Sequence, residues 1–113
     1  MRATSSIAER SVDLLKPTGE RIPFRVEFGP IQSGGNGFRC RVRFFGWTES
    51  PPDIWGSDSL GAFLNAVGLV HGILHQFIQR GGRVVLPGTS IDYSLEGFVS
   101  SPEWHRAEHT HSA

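Results

Sequence analysis

The sequence is poor in cysteine, and its single cysteine, Cys40, excludes an internal disulfide and a zinc site built from several thiolates. The formal net charge is zero, so the overall attraction to nucleic acid or to an anionic membrane that an excess of Lys and Arg provides is not expected. The first residues, MRATSSIAERS, lack the apolar core of a signal peptide, and we therefore expect a cytoplasmic protein. Residues 60–78 are apolar, but two histidines, an asparagine and a glutamine among them would be costly in lipid, so we expect no membrane span.

Recognisable catalytic motifs are also missing. No serine lies in the G-x-S-x-G elbow of a hydrolase. The glycine-rich residues 34–37 lie between two predicted strands and so lack the helix N-terminus that phosphate-binding loops use. His71 and His75 have the i, i+4 spacing of metal ligands on a helix, but no third ligand is recognisable. We expect His71 to be a hydrogen-bonded histidine of the core, and we predict no enzymatic activity, no cofactor and no metal site.

One long segment with helical periodicity, residues 57–82, dominates what is present. Residues 57–59 (SDS) offer capping oxygens, and Arg80 followed by two glycines is a typical stop, so we predict a helix at about 59–80. At 100° per residue, a wide apolar stripe lies on one side, and we predict that it is the core face. The residues of this stripe are Leu60, Phe63, Leu64, Val67, His71, Leu74 and Ile78.

Two further strips of the same helix are candidates for association. One contains Gly61, Gly68 and Gly72 and is nearly free of side chains, and the other is apolar and includes Leu69 and Ile73. A glycine inside a helix costs about 1 kcal/mol relative to alanine, and close approach of another backbone is the usual compensation. That backbone belongs either to the chain's own sheet or to a second copy of the protein.

The residues before the helix are typical of strands. Residues 7–15 have strand-like composition, and residues 21–29 and 38–47 alternate around a Gly/Asn loop, which predicts an antiparallel hairpin. Residues 54–55 and 83–86 are candidates for short additional strands. The side chains that alternation points inward are Ile22, Phe24, Val26, Phe28, Phe38, Cys40, Val42 and Phe44.

These patterns predict an α+β fold, in which one long helix packs across one face of an antiparallel sheet of three to four strands. At 113 residues the chain is expected to form a single domain. Within it we predict a loose N-terminal arm at residues 1–6 and a polar, histidine-containing tail at residues 101–113.

A row of arginines is the most conspicuous charged feature. Arg39, Arg41 and Arg43 project from the outer face of one predicted strand about 7 Å apart, and Arg25 on an adjacent strand extends the row. The row is either a binding surface for nucleic acid or another anionic partner, or one side of a cross-strand ionic ladder. The acids available for such a ladder are Glu9, Asp13 and Glu27.

Residues 7–10 (IAER), the arginine/cysteine strand near residue 40 and residues 55–63 (WGSDSLGAF) resemble a family of small, uncharacterised bacterial domains. Members of this family pair an N-terminal IAER strand with a G-x-D-(S/A)-L-Q-A-L helix start. The resemblance covers residues 7–86, with Gly61 where the family usually has Gln and Phe63 in place of Leu. Its motifs are structural and imply no active site. Such families often occur among bacterial toxin–immunity systems, which the resemblance implies for this chain by analogy.

We therefore expect a small, non-enzymatic bacterial protein that acts by binding another protein and forms a homodimer. The specific version of this hypothesis is an immunity protein that masks a toxin. The alternative hypothesis is a nucleic-acid or anion-binding protein that uses the arginine row; we do not expect nucleic acid to be the partner. A third hypothesis is an enzyme with a dispersed site. The predicted partner-binding residues are Arg25, Arg39, Arg41, Arg43, Gly68, Leu69, Gly72 and Ile73.

Overall fold

A computed structural model describes residues 6–94 of the chain. Its elements, in chain order, are β1 (Ala8–Leu15), β2 (Arg21–Gly34), β3 (Gly37–Phe45), β4 (Ile54–Gly56), α1 (Ser59–Gln79) and β5 (Arg83–Val85). The strands form one antiparallel sheet in the order β4-β3-β2-β1-β5, and α1 packs across one face of it. The predicted α+β architecture is confirmed, although the sheet has five strands and not three to four. Residues 1–5 of the predicted arm and the predicted tail at residues 101–113 lie outside the described residues.

The predicted hairpin is formed by β2 and β3, but its turn is much tighter than the sequence suggested. We expected a flexible loop over residues 30–37, whereas β2 continues to Gly34, which pairs with Gly37. Only Gly35 and Asn36 remain in the turn, and Gly35 takes a φ of +57°, which favours glycine. The extra length of β2 is accommodated by a shift of register between Phe28 and Ile31.

Alternation along β2 and β3 predicted the sheet side of the core correctly. Six of the eight inward residues are buried, and Ile22 and Phe38 are partly buried and pack against them. Trp47, just after β3, extends this core toward the end of α1. The centroid of its ring lies 5.5 Å from the ring centroid of Phe24 and 5.4 Å from that of Phe77. The buried residues of β2 and β3 are Phe24, Val26, Phe28, Cys40, Val42 and Phe44.

The ends of α1 lie where the capping residues predicted them. Asp58 is the N-cap, and its Oδ1 accepts a hydrogen bond from the backbone N–H of Gly61 at 2.6 Å. At the other end Gly81 has a φ of +95°, and the N–H of Gly82 donates to the carbonyl of Phe77 at 3.1 Å. This bond and the one from Gly81 form a Schellman motif, which ends the helix and satisfies its last carbonyl groups.

The face of α1 that packs on the sheet was predicted only in part. The fully buried residues are Ala62, Ala66, Val70 and Leu74, and the centre of this set lies about a quarter turn from the centre of the predicted stripe. Of that stripe, Leu74 is buried, Phe63 and Val67 are partly buried against the core, and the rest is not part of the core. The phenylalanines of the sheet already fill much of the core, so the side of the helix that carries the two alanines fits against them better than the side that carries Leu60 and Leu64. The connection from β4 also fixes this orientation, because a Cβ atom added at Gly56 would lie 2.2 Å from the backbone nitrogen of Ala62.

Both edge strands of the sheet are only three residues long. β5 is continued by a short return of the chain, in which the N–H of Tyr93 donates to the carbonyl of Val84 at 2.7 Å. On the opposite edge, β4 pairs with the first half of β3. Each edge strand therefore covers only part of its neighbour, and residues 8–12 of β1 and residues 41–45 of β3 have no described strand paired on their outer side.

Candidate functional site

The rotation of α1 leaves Leu60, Leu64 and Ile78 on the side of the helix that points away from the sheet. We call this side the outer face of α1. Leu60 is 63% exposed, Leu64 is 55% exposed and Ile78 is 36% exposed, although all three were predicted to lie in the core. The exposed residues of the outer face are Leu60, Leu64, Asn65, Gly68, Gly72, His75, Gln76, Ile78 and Gln79, and His71 is half-buried at its margin.

The outer face of α1 contains no formally charged residue. The whole helix, Ser59–Gln79, lacks Asp, Glu, Lys and Arg, and only four of its residues are fully buried. A helix on the surface of a soluble domain normally carries charged residues on its outward side. Within the described residues, α1 is the one helix long and apolar enough to cross a membrane by length and composition, a test that the core helix of a soluble protein also passes.

Two glycines of the outer face have no structural partner among the described residues. A Cβ atom added at Gly68 or at Gly72 would meet no heavy atom within 4 Å beyond the neighbouring helix backbone. The sheet of the same chain, one of the two explanations offered for these glycines, therefore does not approach them. Gly61 differs, because a Cβ atom there would lie 2.9 Å from Oδ1 of its capping residue, Asp58.

The structure separates the helix residues that the sequence grouped as partner-binding. Gly68 and Gly72 lie on the outer face, whereas Ile73 is partly buried and packs against the core. Leu69 is partly buried at the margin between the two sides of the helix. Leu69 and Ile73 therefore do not form an exposed apolar strip, because the side of α1 that carries them is turned toward the sheet.

One of the two helix histidines, His71, is displaced from its predicted position. His71 was expected inside the core, but it is only half-buried and lies outside the core cluster, and His75 is exposed. Their imidazole rings are nearly parallel, at an interplanar angle of 5°, with the ring centroids 6.4 Å apart. The outer face therefore presents two adjacent imidazoles one helical turn apart.

The arginine row on the opposite side of the sheet is paired with acids. Glu27 bridges two arginines, with Oε1 2.8 Å from Nη2 of Arg43 and Oε2 3.4 Å from Nε of Arg25. The guanidinium of Arg25 also lies 4.2 Å from the ring centroid of Phe45. Of the two interpretations of the row, these contacts correspond to the cross-strand ionic ladder.

The other half of the ladder depends on an acid that sequence reasoning missed. Asp53 lies 3.6 Å from Nε of Arg39 through one carboxylate oxygen and 3.7 Å from Nε of Arg41 through the other. It directly precedes β4, whose Ile54 pairs with Cys40 of β3. The pairing of β4 with β3 was the missing information, because that register brings Asp53 beside Arg41.

Of the other two acids proposed for the ladder, Asp13 pairs elsewhere. Its Oδ2 accepts a hydrogen bond from Nη1 of Arg21 at 2.6 Å and another from the backbone N–H of Gly88 at 2.8 Å. These bonds, led by the one from Gly88, lower the pKa of Asp13 although burial opposes the shift. Asp13 is thus a structural residue that joins β1, β2 and the turn after β5. Glu9, the remaining candidate, pairs in register with Glu27.

A shallow groove at the β4 edge is lined by Asn36, Trp55, Gly56 and Ser57. This lining contains neither of the helix histidines and no carboxylate. An enzyme that used a helix histidine would need it in a pocket beside carboxylates, and this groove does not provide that combination.

The described residues thus present two candidate surfaces of opposite character. The outer face of α1 is uncharged and partly apolar, and the outer face of the sheet is charged but internally paired. Comparisons of the chain with protein-family models, with curated proteins and with solved structures found no match.

Proposed function

We propose that this protein has a non-enzymatic role, that it acts by binding protein, and that its partner is a second copy bound through the outer face of α1. The observation that carries the proposal is the position of Gly68 and Gly72 on that face, with no atom of the described residues placed over them. Each glycine costs about 1 kcal/mol relative to alanine within a helix. A second helix that packs against them offsets this cost, because the absence of side chains lets two backbones approach closely.

The apolar side chains around the glycines support the same partner. Leu60, Leu64 and Ile78 are the large residues that such a contact would remove from water. Burial of a leucine or isoleucine side chain stabilises by about 1.5–3 kcal/mol when it is complete. A two-fold axis brings the same face of each copy together, and this face has no Asp, Glu, Lys or Arg that would meet a like charge.

The size of the face predicts a weak dimer. A helix of 21 residues is about 32 Å long, and a strip roughly 10 Å wide gives a projected area of about 300 Å² on each copy. Stable interfaces bury about 800 Å² of accessible surface per partner. We therefore expect a dissociation constant that is roughly micromolar or higher.

Nucleic-acid binding and an immunity role are less well supported than self-association. Nucleic-acid binding requires free cationic side chains, whereas Glu27 and Asp53 lie next to all four arginines of the row. An immunity role, which the resemblance implies, is a different use of the same surface, in which a toxin occupies the outer face of α1 in place of a second copy.

The mass of the protein in solution tests the proposal. We expect light scattering of the wild type to show a concentration-dependent monomer–dimer equilibrium, and Leu64→Glu to be a folded monomer, because a carboxylate at that position would be buried in the dimer. Ile91→Glu is the matched control, since Ile91 is 60% exposed but lies near the β5 edge. It should dimerise as the wild type does.

A wild type that is monomeric at every concentration would contradict the homodimer. A Leu64→Glu variant that dimerises like the control would place the interface elsewhere. A Leu64→Glu variant that is a monomer but has lost stability, beside a wild type that is also a monomer, would mean that the same chain covers the face. Capture of a defined toxin by the wild type, but not by Leu64→Glu, would favour the immunity version.

The glycines provide a second, independent experiment. In an isolated monomer, Gly68→Ala/Gly72→Ala should raise the free energy of unfolding by about 1–2 kcal/mol, because alanine favours the helix and open space is available. In the dimer the added methyl groups separate the helices. We therefore expect this variant to be a more stable monomer than the wild type and a poorer dimer.

A further inference from the structure

His71 and His75 lie one turn apart on the outer face of α1, at the spacing of helical metal ligands. The two rings are parallel with centroids 6.4 Å apart, and neither makes a hydrogen bond to another described residue. Gly68 precedes His71 by three residues and Gly72 precedes His75 by three, and no described atom covers either glycine. His75 is exposed and His71 is half-buried, and the space beside the two glycines is open.

The chemistry of the pair suits a late first-row divalent cation. Imidazole nitrogen is a preferred ligand of Zn²⁺, Ni²⁺ and Cu²⁺. With Zn–N bonds of about 2.0–2.1 Å, two rings on one tetrahedral ion have centroids roughly 5 Å apart. The two ring centroids must therefore move about 1 Å closer together than observed, and rotation of the two side chains provides this at little cost.

Two histidines are half of the ligand set that a tetrahedral zinc ion takes. Within the described residues no group of three or more His, Cys, Asp or Glu side chains is placed to hold a metal ion, so a third ligand does not come from this part of the chain. A two-fold axis duplicates every residue beside it. A second copy bound through the same face therefore supplies the two missing imidazoles.

We propose that His71 and His75 of two copies together bind one divalent transition-metal ion, which bridges the two helices on the two-fold axis. This inference rests on the proposed function, because it uses the same face of α1, and it fixes the register of the pair. Along the length of the helix, the axis lies at the level of residue 73, which is midway between the histidines. In that register Ile78 of one copy faces the partner's Gly68, since each lies five residues from the axis, and an exposed side chain then fills the space above a glycine.

Zinc is the probe for the test, added to full-length protein that has been stripped with a chelator. Calorimetry should give one Zn²⁺ per two chains, and light scattering should show that Zn²⁺ lowers the dimer dissociation constant by about tenfold or more. His71→Ala/His75→Ala should lose both effects. The matched control is His105→Ala/His109→Ala/His111→Ala, which removes the histidines of the C-terminal segment and should behave like the wild type. Acidification should release the metal, because protonated imidazoles do not bind it.

The outcomes separate this inference from the proposed function. A dimer in chelator that shows no zinc binding, or one Zn²⁺ per chain without a change of mass, would overturn the bridge and leave the apolar dimer in place. A chain that is monomeric in chelator but forms a dimer with one Zn²⁺ per pair would support the bridge and contradict the metal-free dimer. Loss of zinc binding in the control variant alone would assign the ion to the C-terminal segment and overturn the inference.

Discussion

The carboxylate of Asp13 and the guanidinium of Arg21 are 2.6 Å apart at the β1–β2 end of the sheet, and the acid is almost fully buried at 5% exposure. Nη2 of the same arginine donates to the carbonyl of Thr89 at 2.8 Å, while Gly88 donates its N–H to Asp13. Two side chains thus hold the turn after β5 against the first two strands. This arrangement gives the first two predictions.

Asp13→Asn should lower the free energy of unfolding by about 2 kcal/mol, because hydrogen bonds that involve a charged group are the stronger ones and the donors stay behind. Urea unfolding at neutral pH measures the change. The matched control is Glu20→Gln, which removes an exposed ion pair between Lys16 and Glu20 at 3.2 Å and should change stability by less than about 0.5 kcal/mol. Equal effects of the two substitutions would contradict the structural role of Asp13.

The same carboxylate should make stability depend on pH in the acid range. The Gly88 N–H and Arg21 hold the folded-state pKa of Asp13 below its ordinary value of 3.8. The unfolded state therefore takes up the proton first, so this contribution is complete above the ordinary value and is lost as the pH falls through the lower folded-state pKa. Unfolding curves measured from neutral to strongly acid pH should show a smaller loss of stability in Asp13→Asn than in the wild type. Parallel profiles of stability against pH for the two proteins would contradict this contribution of Asp13.

Cys40 should be inert toward thiol reagents in the folded protein. Its side chain is completely buried, and burial raises the pKa of the thiol, so the reactive thiolate is scarce at neutral pH. We expect labelling to follow global unfolding, with full reaction in denaturant and a rate at least about a hundredfold lower in native buffer. Rapid labelling of the native protein would show that β3 opens locally.

Gly56→Ala should be severely destabilising, by about 3 kcal/mol, since the added methyl group would overlap the backbone at Ala62 where β4 meets the helix. Gly34→Ala is the control, because a Cβ atom there meets nothing within 4 Å and the residue has no positive φ. Thermal unfolding monitored by circular dichroism compares the two. Similar midpoints would mean that the β4–α1 junction can relax.

The ionic ladder predicts weak binding of nucleic acid. Fluorescence anisotropy with a generic DNA duplex at low salt should show little binding by the wild type, because two carboxylates partly neutralise four arginines. Glu27→Gln/Asp53→Asn frees the row and should bind the duplex more tightly, with an affinity that decreases as salt rises. Strong, salt-dependent binding by the wild type would instead favour the arginine row as the functional surface.

The parts of this fold that sequence could predict depend on local physics. Alternation in β2 and β3 predicts which residues face inward, because successive side chains of a strand point to opposite sides, and Asp58 and Gly81 mark the helix ends through their own backbone bonds. The core face of α1 was not predictable in this way. Its apolar residues surround most of the helix, so the side that packs is selected by Phe24, Phe28 and the short connection from Gly56, which are tertiary features.

The candidate site shows the same division. Gly68 and Gly72 were identified from sequence because glycine is costly in a helix. Leu69 and Ile73 were also predicted to bind a partner, on a second strip, because the rotation of α1 was unknown. Asp53 was missed because its proximity to Arg39 depends on a three-residue strand pairing across the sheet. A test built on Leu69→Glu/Ile73→Glu would therefore disturb the core and could not report on the outer face.

The three-residue strands at both sides of the sheet have a consequence for how copies of this protein can assemble. A long, bare strand edge invites open-ended pairing of one sheet with the next. Edge strands of only three residues oppose such pairing, and so do the charged residues on the unpaired parts of β1 and β3, such as Arg10, Arg41 and Arg43. A contact through a single helix face, in contrast, is fully occupied once two copies have bound each other, so no third copy can bind there. The architecture therefore favours an assembly that stops at two over one that grows into fibres, and raising the protein concentration should yield dimers without aggregates.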